Sequence, residues 1–303
     1  VTPPSGSRRG TSTPDRLGIE FLSVFNLPPV EYVNLAADLG CRHVSIGLTS
    51  MPFCNPHGYP AWSLRDDPVL RREMAAAMRD RGVGISLGEG YSIRAHLDVR
   101  ERAADLALMC ELGVRRINAV ALDPDRARSF DQFALLAEMA AACGVETTVE
   151  FGPGMTIGDL ATALQLVRHV GRRDFRLLID TMHLLRSGSG AADLAALDPD
   201  LIGYAQLCDA PRVSQHPSYL EEAMFERRVP GAGELPLRDI VAVLPRDIVV
   251  SLEVPQRALA EAGVGPHERL ARCVDAARDL LAPQATISRS EQQARRGAVP
   301  QCP

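Results

Sequence analysis

A (β/α)8 barrel is the fold class this sequence predicts, and three observations predict it. Between Leu17 and Leu281, eight short apolar runs alternate with segments of helical periodicity, the pattern of parallel strands joined by crossover helices. No Pro-, Gly- or Ser-rich linker interrupts the alternation, so residues 17–282 are expected to form one domain. The last four runs carry polar residues near their C-terminal ends, Glu150, Asp180, Gln206 and Glu253, and the C-terminal ends of strands are where such barrels place their chemistry. A doubly wound open sheet would share the first feature, but the G-x-G-x-x-G turn that usually marks it is absent after the first run.

Taken in order, residues 1–16 are rich in Pro, Ser, Gly and Arg and read as a flexible lead. The apolar run 17–25 predicts the first strand. Pro28-Pro29 then opens a periodic segment that Gly40 closes, the start and stop signals of a helix over 30–39. A second strand over 41–47 leads into a long connection, 48–64, which holds His57 and Trp62; a loop of that length in a compact fold is more often functional than a spacer. Helices are expected over 67–79, 97–112, 129–142 and 157–169, each followed by an apolar run. Those runs predict strands over 82–88, ending at Glu89, and over 114–122, 144–150 and 176–180. The last of them, Leu177-Leu178-Ile179-Asp180, has the unbroken hydrophobicity of a strand covered on both faces. A short helix over 193–197 and a strand over 201–208 precede a second long connection, 209–235, with no predicted element of its own. A helix over 236–244, a strand over 247–253 and an amphipathic helix over 267–281 complete the barrel. Residues 283–303 turn polar and read as a loose tail suited to an oligomer contact.

The composition narrows the function. The chain has 303 residues, 46% hydrophobic and 23% charged, as in ordinary globular domains. Its formal net charge is -5, so no global positive field draws nucleic acid or an anionic membrane. The sequence has no apolar run long enough to span a bilayer and no leader-like N-terminus. Seven dispersed cysteines without a C-x-x-C pair point to reduced thiols in a cytoplasmic protein.

In a barrel, Glu150, Asp180, Gln206 and Glu253 would meet around one mouth. Three converging carboxylates repel one another unless a cation neutralises them. One divalent ion held by Glu150, Asp180, Glu253 and the Gln206 amide oxygen answers that problem, and an oxygen donor set favours Mn²⁺ or Mg²⁺ ahead of Co²⁺ or Zn²⁺. Each acid also has a plainer reading, since Asp180, Glu150 and Glu253 each precede a turn that a carboxylate can cap. His183, three residues past Asp180, suits a hydrogen bond to a substrate oxygen, or else packs. Arg227 and Arg228, ahead of Pro230-Gly231-Ala232-Gly233, read either as a solvated pair or as placing a guanidinium over the mouth, where it would bind oxygens and offset negative charge. A metal and two carboxylates facing a hydroxy-ketone are the parts needed to move a proton through an enediolate. Isomerisation, epimerisation and, if a β-hydroxyl leaves, dehydration all share that set.

At these residues the chain resembles the xylose isomerase-like TIM barrel superfamily, in the sugar phosphate isomerase and epimerase branch. That branch includes ketose 3-epimerases, hydroxypyruvate isomerase, inosose dehydratase and dehydroshikimate dehydratase. The resemblance spans residues 17–281 and rests on Val149-Glu150, Ile179-Asp180-Thr181-Met182-His183, Gln206-Leu207-Cys208-Asp209, Arg227 to Gly233, and Leu252-Glu253. It implies Glu150, Asp180, Gln206 and Glu253 as metal ligands, Glu150 and Glu253 as the acid/base pair, and His183 and Arg227 on the substrate. Asp209, His57 and Glu89 are further pocket candidates. It also implies a small polyhydroxylated or hydroxy-ketone substrate and a homodimer or homotetramer. One departure stands out: many epimerases of the superfamily carry His where this chain has Gln206, which keeps the dehydratase outcome open. The superfamily also contains abasic-site endonucleases, but those use a histidine-rich metal cluster, and few of the seven histidines here fall at strand ends. A non-catalytic sugar-binding or partner-subunit barrel is the remaining alternative, against which the full carboxylate set argues.

Overall fold

The strands close in chain order into one parallel barrel, with β1 hydrogen-bonded to both β2 and β8. They are β1 (Leu17–Ile19), β2 (His43–Ile46), β3 (Gly84–Ile93), β4 (Arg116–Ala121), β5 (Glu146–Glu150), β6 (Phe175–Asp180), β7 (Ile202–Leu207) and β8 (Val250–Leu252). The structure is a computed structural model, and it describes residues 16–53 and 55–282. The expectations for the lead up to residue 15, for Cys54 and for the tail 283–303 lie outside the described residues. Among those described, no helix is long and apolar enough to cross a membrane, and Cys41, Cys110, Cys143, Cys208 and Cys273 are free thiols.

Two layers of core follow from the period-two alternation of strand side chains. Leu177 and Ile179 of β6 face the helices, in the main apolar cluster between sheet and helix ring. Leu178 faces the other way and packs with Leu87 and Tyr204 in a small cluster, which the alternation places inside the barrel. Asp180 is two residues beyond Leu178, and Gln206 two beyond Tyr204, so both project into the barrel one layer higher, at its C-terminal mouth.

Four differences from the sequence expectations matter for the site. The first strand ends at Ile19, and Phe21–Val24 forms a 3-10 turn that leads to Phe25 and Asn26 at positive φ. The apolar residues there had hidden a strand end at Glu20. A helix, Thr181–Arg186, follows β6 without a break, capped by Asp180, whose carboxylate accepts from the His183 amide at 2.8 Å. Within 209–235, expected to carry no element, Tyr219–Phe225 is helical, capped by Ser218, and a second unexpected helix, Arg257–Glu261, follows β8.

Candidate metal centre

Adjacent strand ends bring the predicted residues together. Asp180 and Gln206 are register partners across β6 and β7, Glu150 pairs with Leu178 across β5 and β6, and the Glu253 amide is tied to the Leu207 carbonyl at 3.1 Å. Ligand atoms of Glu150, Asp180 and His183 all lie within 4.8 Å of one another, and all three residues are buried. Such a cluster can chelate a metal ion.

Asp180 both caps its helix and serves the cluster. One oxygen takes the His183 amide, and the other pairs with the Arg227 guanidinium. Arg227 also reaches Glu253 at 2.9 Å and the Ala223 carbonyl at 2.7 Å, and it is buried. The turn before the Pro-Gly segment holds it there, since the Arg227 amide bonds to the Pro255 carbonyl and the Arg228 amide to that of Asp209. Arg228 turns out towards Gln215. Burial alone would raise the Asp180 carboxyl, but Arg227, and after it His183, hold it at about 2. Glu253 goes the other way: burial comes first, and the neighbouring negative charges of Glu150, Asp180 and Glu20 push it well above the usual carboxylate range despite Arg227.

His183 is placed by two partners. Its Nδ1 contacts the Tyr219 hydroxyl, and its Nε2 is 3.3 Å from Glu150 Oε1. Burial, helped by Asp180, raises Tyr219 so that it stays protonated, and that hydroxyl can donate to Nδ1 or accept from it according to the ring tautomer. Gly152 makes room for the ring, because a Cβ there would lie 2.9 Å from His183 Cγ.

Gln206 gives the clearest test of whether a cation fits. Its Nε2 donates to Glu253 Oε1 at 3.2 Å and to Glu20 Oε2 at 3.4 Å, while its Oε1 is buried with no partner. Buried oxygens are almost always satisfied, so an orphan amide oxygen among carboxylates is what an absent hard cation would leave behind.

Among the remaining candidates, Glu89 belongs to this acidic group: burial first, then Glu20, Glu253 and Glu150, raise its carboxyl well above the usual range. His57 instead stacks on Tyr59 and meets Arg269 at 3.5 Å, with burial and that arginine lowering its pKa. Asp209, expected against substrate, is a structural residue: its carboxylate accepts from the amides of Ala210, Gly231 and Leu235 at 2.8, 2.9 and 3.1 Å. It fastens the Pro-Gly turn that carries Arg227, and a Cβ at Gly233 would fall 2.2 Å from its Oδ1. Asp209→Ala is therefore expected to cost about 1–3 kcal/mol in urea unfolding through buried amides left unpaired; an unchanged midpoint would show that the turn holds without it. Sequence reading missed Glu20, Tyr219 and Asn118, whose Nδ2 donates to Glu150 Oε2 at 2.6 Å.

Comparison with known proteins agrees with this architecture. The sequence profile of the xylose isomerase-like TIM barrel family matches residues 33–283, while no curated protein sequence matches. Similar solved structures include the IOLI protein with a bound zinc atom, at 17% identity over 90% of this chain and 100% of that one, with a TM-score of 0.73. A D-psicose 3-epimerase from Clostridium cellulolyticum H10, solved with D-tagatose, is 16% identical over 88% of this chain and 100% of its own, with a TM-score of 0.65. The probable 3-DHS dehydratase AsbF of Bacillus anthracis is 15% identical over 82% and 96%, with a TM-score of 0.64. With the family profile covering most of its length and the closed eight-stranded barrel beneath it, this chain belongs to the xylose isomerase-like TIM barrel family.

Proposed function

We propose that this protein is a divalent-metal-dependent isomerase or epimerase of a small, sugar-like hydroxy-ketone. The observation that carries the reading is the buried cluster at the mouth, Glu150, Asp180 and His183 with Glu253 beside them, together with the unpartnered oxygen of Gln206. Glu150, Asp180, Glu253 and Gln206 Oε1 would hold the ion, and that all-oxygen set favours Mn²⁺ or Mg²⁺. Once bound, the ion would polarise the substrate carbonyl and stabilise the enediolate.

The protein's own groups carry the proton. Glu150 and Glu253 stand on different strands of one rim, so one carboxylate can take the proton from the carbon beside the carbonyl while the other returns it. His183 Nε2–H can donate to a substrate oxygen on the Glu150 side. Arg227, between Asp180 and Glu253, supplies fixed positive charge where negative charge develops. These side chains are largely buried, which strengthens the charge interactions among them. A dehydratase outcome is the second reading, kept open by Gln206 standing where many epimerases of the superfamily have His.

Two measurements test the reading. Incubating ketoses, inososes and 3-dehydroshikimate with the protein and Mn²⁺ in deuterated buffer is expected to give one substrate that gains deuterium beside its carbonyl. Product mass and stereochemistry then separate isomer, epimer and dehydration product, and no exchange across the panel would count against the proposal. Independently, Mn²⁺ at a hundredfold excess over its Kd is expected to raise unfolding stability by about 2.7 kcal/mol, an effect that EDTA reverses.

A further inference from the structure

We propose that Glu20 is a positioning residue that fixes the orientation of the Gln206 carboxamide, so that its oxygen and not its nitrogen faces the metal position. This rests on the metal-dependent reading of the same site and adds a residue to it. Glu20 directly follows β1 and is fully buried. Its amide is tied to the Leu252 carbonyl at 2.9 Å, which sets its carboxylate beside β8.

A carboxamide that binds a cation must present oxygen, yet its two ends are nearly equal in size and packing alone separates them poorly. Hydrogen bonds make the distinction here. Both N–H groups of Gln206 have carboxylate acceptors, Glu20 Oε2 at 3.4 Å and Glu253 Oε1 at 3.2 Å. Rotating the amide by half a turn would set its oxygen against two carboxylates and leave the N–H groups facing a cation. Glu20 is anchored from its far side: its other oxygen accepts from the Tyr204 hydroxyl at 2.8 Å, and Tyr204 is in turn 3.0 Å from the Ser86 hydroxyl. That buried chain of hydroxyls runs through the layer beneath the site, so Glu20 is itself oriented from below. Partners that orient a ligand in this way commonly change metal affinity 10–100-fold when removed.

The test is a swap of carboxylate and amide, read by Mn²⁺ affinity from calorimetry and by the Gln206 side-chain amide signals in the ¹⁵N spectrum of metal-free protein. Glu20→Gln is expected to weaken Mn²⁺ binding about 10–100-fold and to shift the Gln206 amide signals, with the folded state intact. Placing the carboxylate on the other side, in the Glu20→Gln/Gln206→Glu double variant, is expected to recover most of the lost affinity, because the amide introduced at position 20 can then donate to the carboxylate introduced at position 206. A Glu20→Gln variant that binds Mn²⁺ within threefold of the parent overturns the proposal. So does an equal loss with and without Gln206→Glu, which would mark Glu20 as merely structural. Should the parent protein bind no Mn²⁺, the functional reading fails, and the amide signals alone decide whether Glu20 orients Gln206: unchanged signals in Glu20→Gln overturn the inference.

Discussion

Replacing Arg227 by methionine is expected to cost the metal-free protein about 3–5 kcal/mol of stability, the usual penalty for removing one partner of a buried ion pair. The guanidinium is shared by Asp180 and Glu253, and its own protonation is reinforced by those charges against a burial that would weaken it. Without it, two buried carboxylates lose their shared counter-charge. The pH dependence should change with it. Asp180 is depressed in the folded state, so its contribution is present above the ordinary Asp range, near 3.9, and is lost as pH falls towards about 2. In Arg227→Met that acid-side slope should shrink. Mn²⁺ should restore part of the lost stability by neutralising the same carboxylates, and urea unfolding at several pH values, with and without the ion, measures both effects. A loss below about 1 kcal/mol would place Arg227 among ordinary surface pairs.

The second large effect concerns the proton itself. Glu150→Gln and Glu253→Gln are each expected to lower solvent-deuterium exchange into the substrate by about 10²–10⁴-fold, the range for loss of a positioned acid or base. Glutamine preserves shape, and at position 150 it can still accept from Asn118, so the fold should survive. The two positions differ in environment: Glu150 accepts from Asn118 and faces the His183 ring, whereas Glu253 is raised by burial and by its acidic neighbours. Exchange at the parental rate in either variant would remove that residue from the acid/base pair.

These residues were legible in the sequence to different degrees, for physical reasons. Asp180, Glu150, Gln206 and Glu253 end apolar runs, and a polar residue that interrupts a buried strand marks its rim without any knowledge of what lies opposite. Arg227 was legible through its distance from Pro230 and Gly231, although its carboxylate partners were not. Glu20 was hidden because Phe21 to Phe25 continue the apolar run after the strand has ended, turning in a 3-10 helix whose Phe21 and Val24 are buried. Asn118 lies inside β4 and Tyr219 in a helix of the long connection, and neither residue type stands out in such a place. Asp209 shows the converse error: next to a motif it reads as a pocket residue, but the fold turns its carboxylate onto three backbone amides. Strand ends can be read from local pattern, whereas hydrogen-bond partners depend on packing between distant segments.

The most direct measurement is anomalous diffraction at the manganese edge from crystals of the protein soaked in Mn²⁺. One peak at the barrel mouth, within coordination distance of Glu150, Asp180, Glu253 and the Gln206 amide oxygen, is the predicted result. No peak there at saturating Mn²⁺, or an ion bound only away from these four residues, would contradict it.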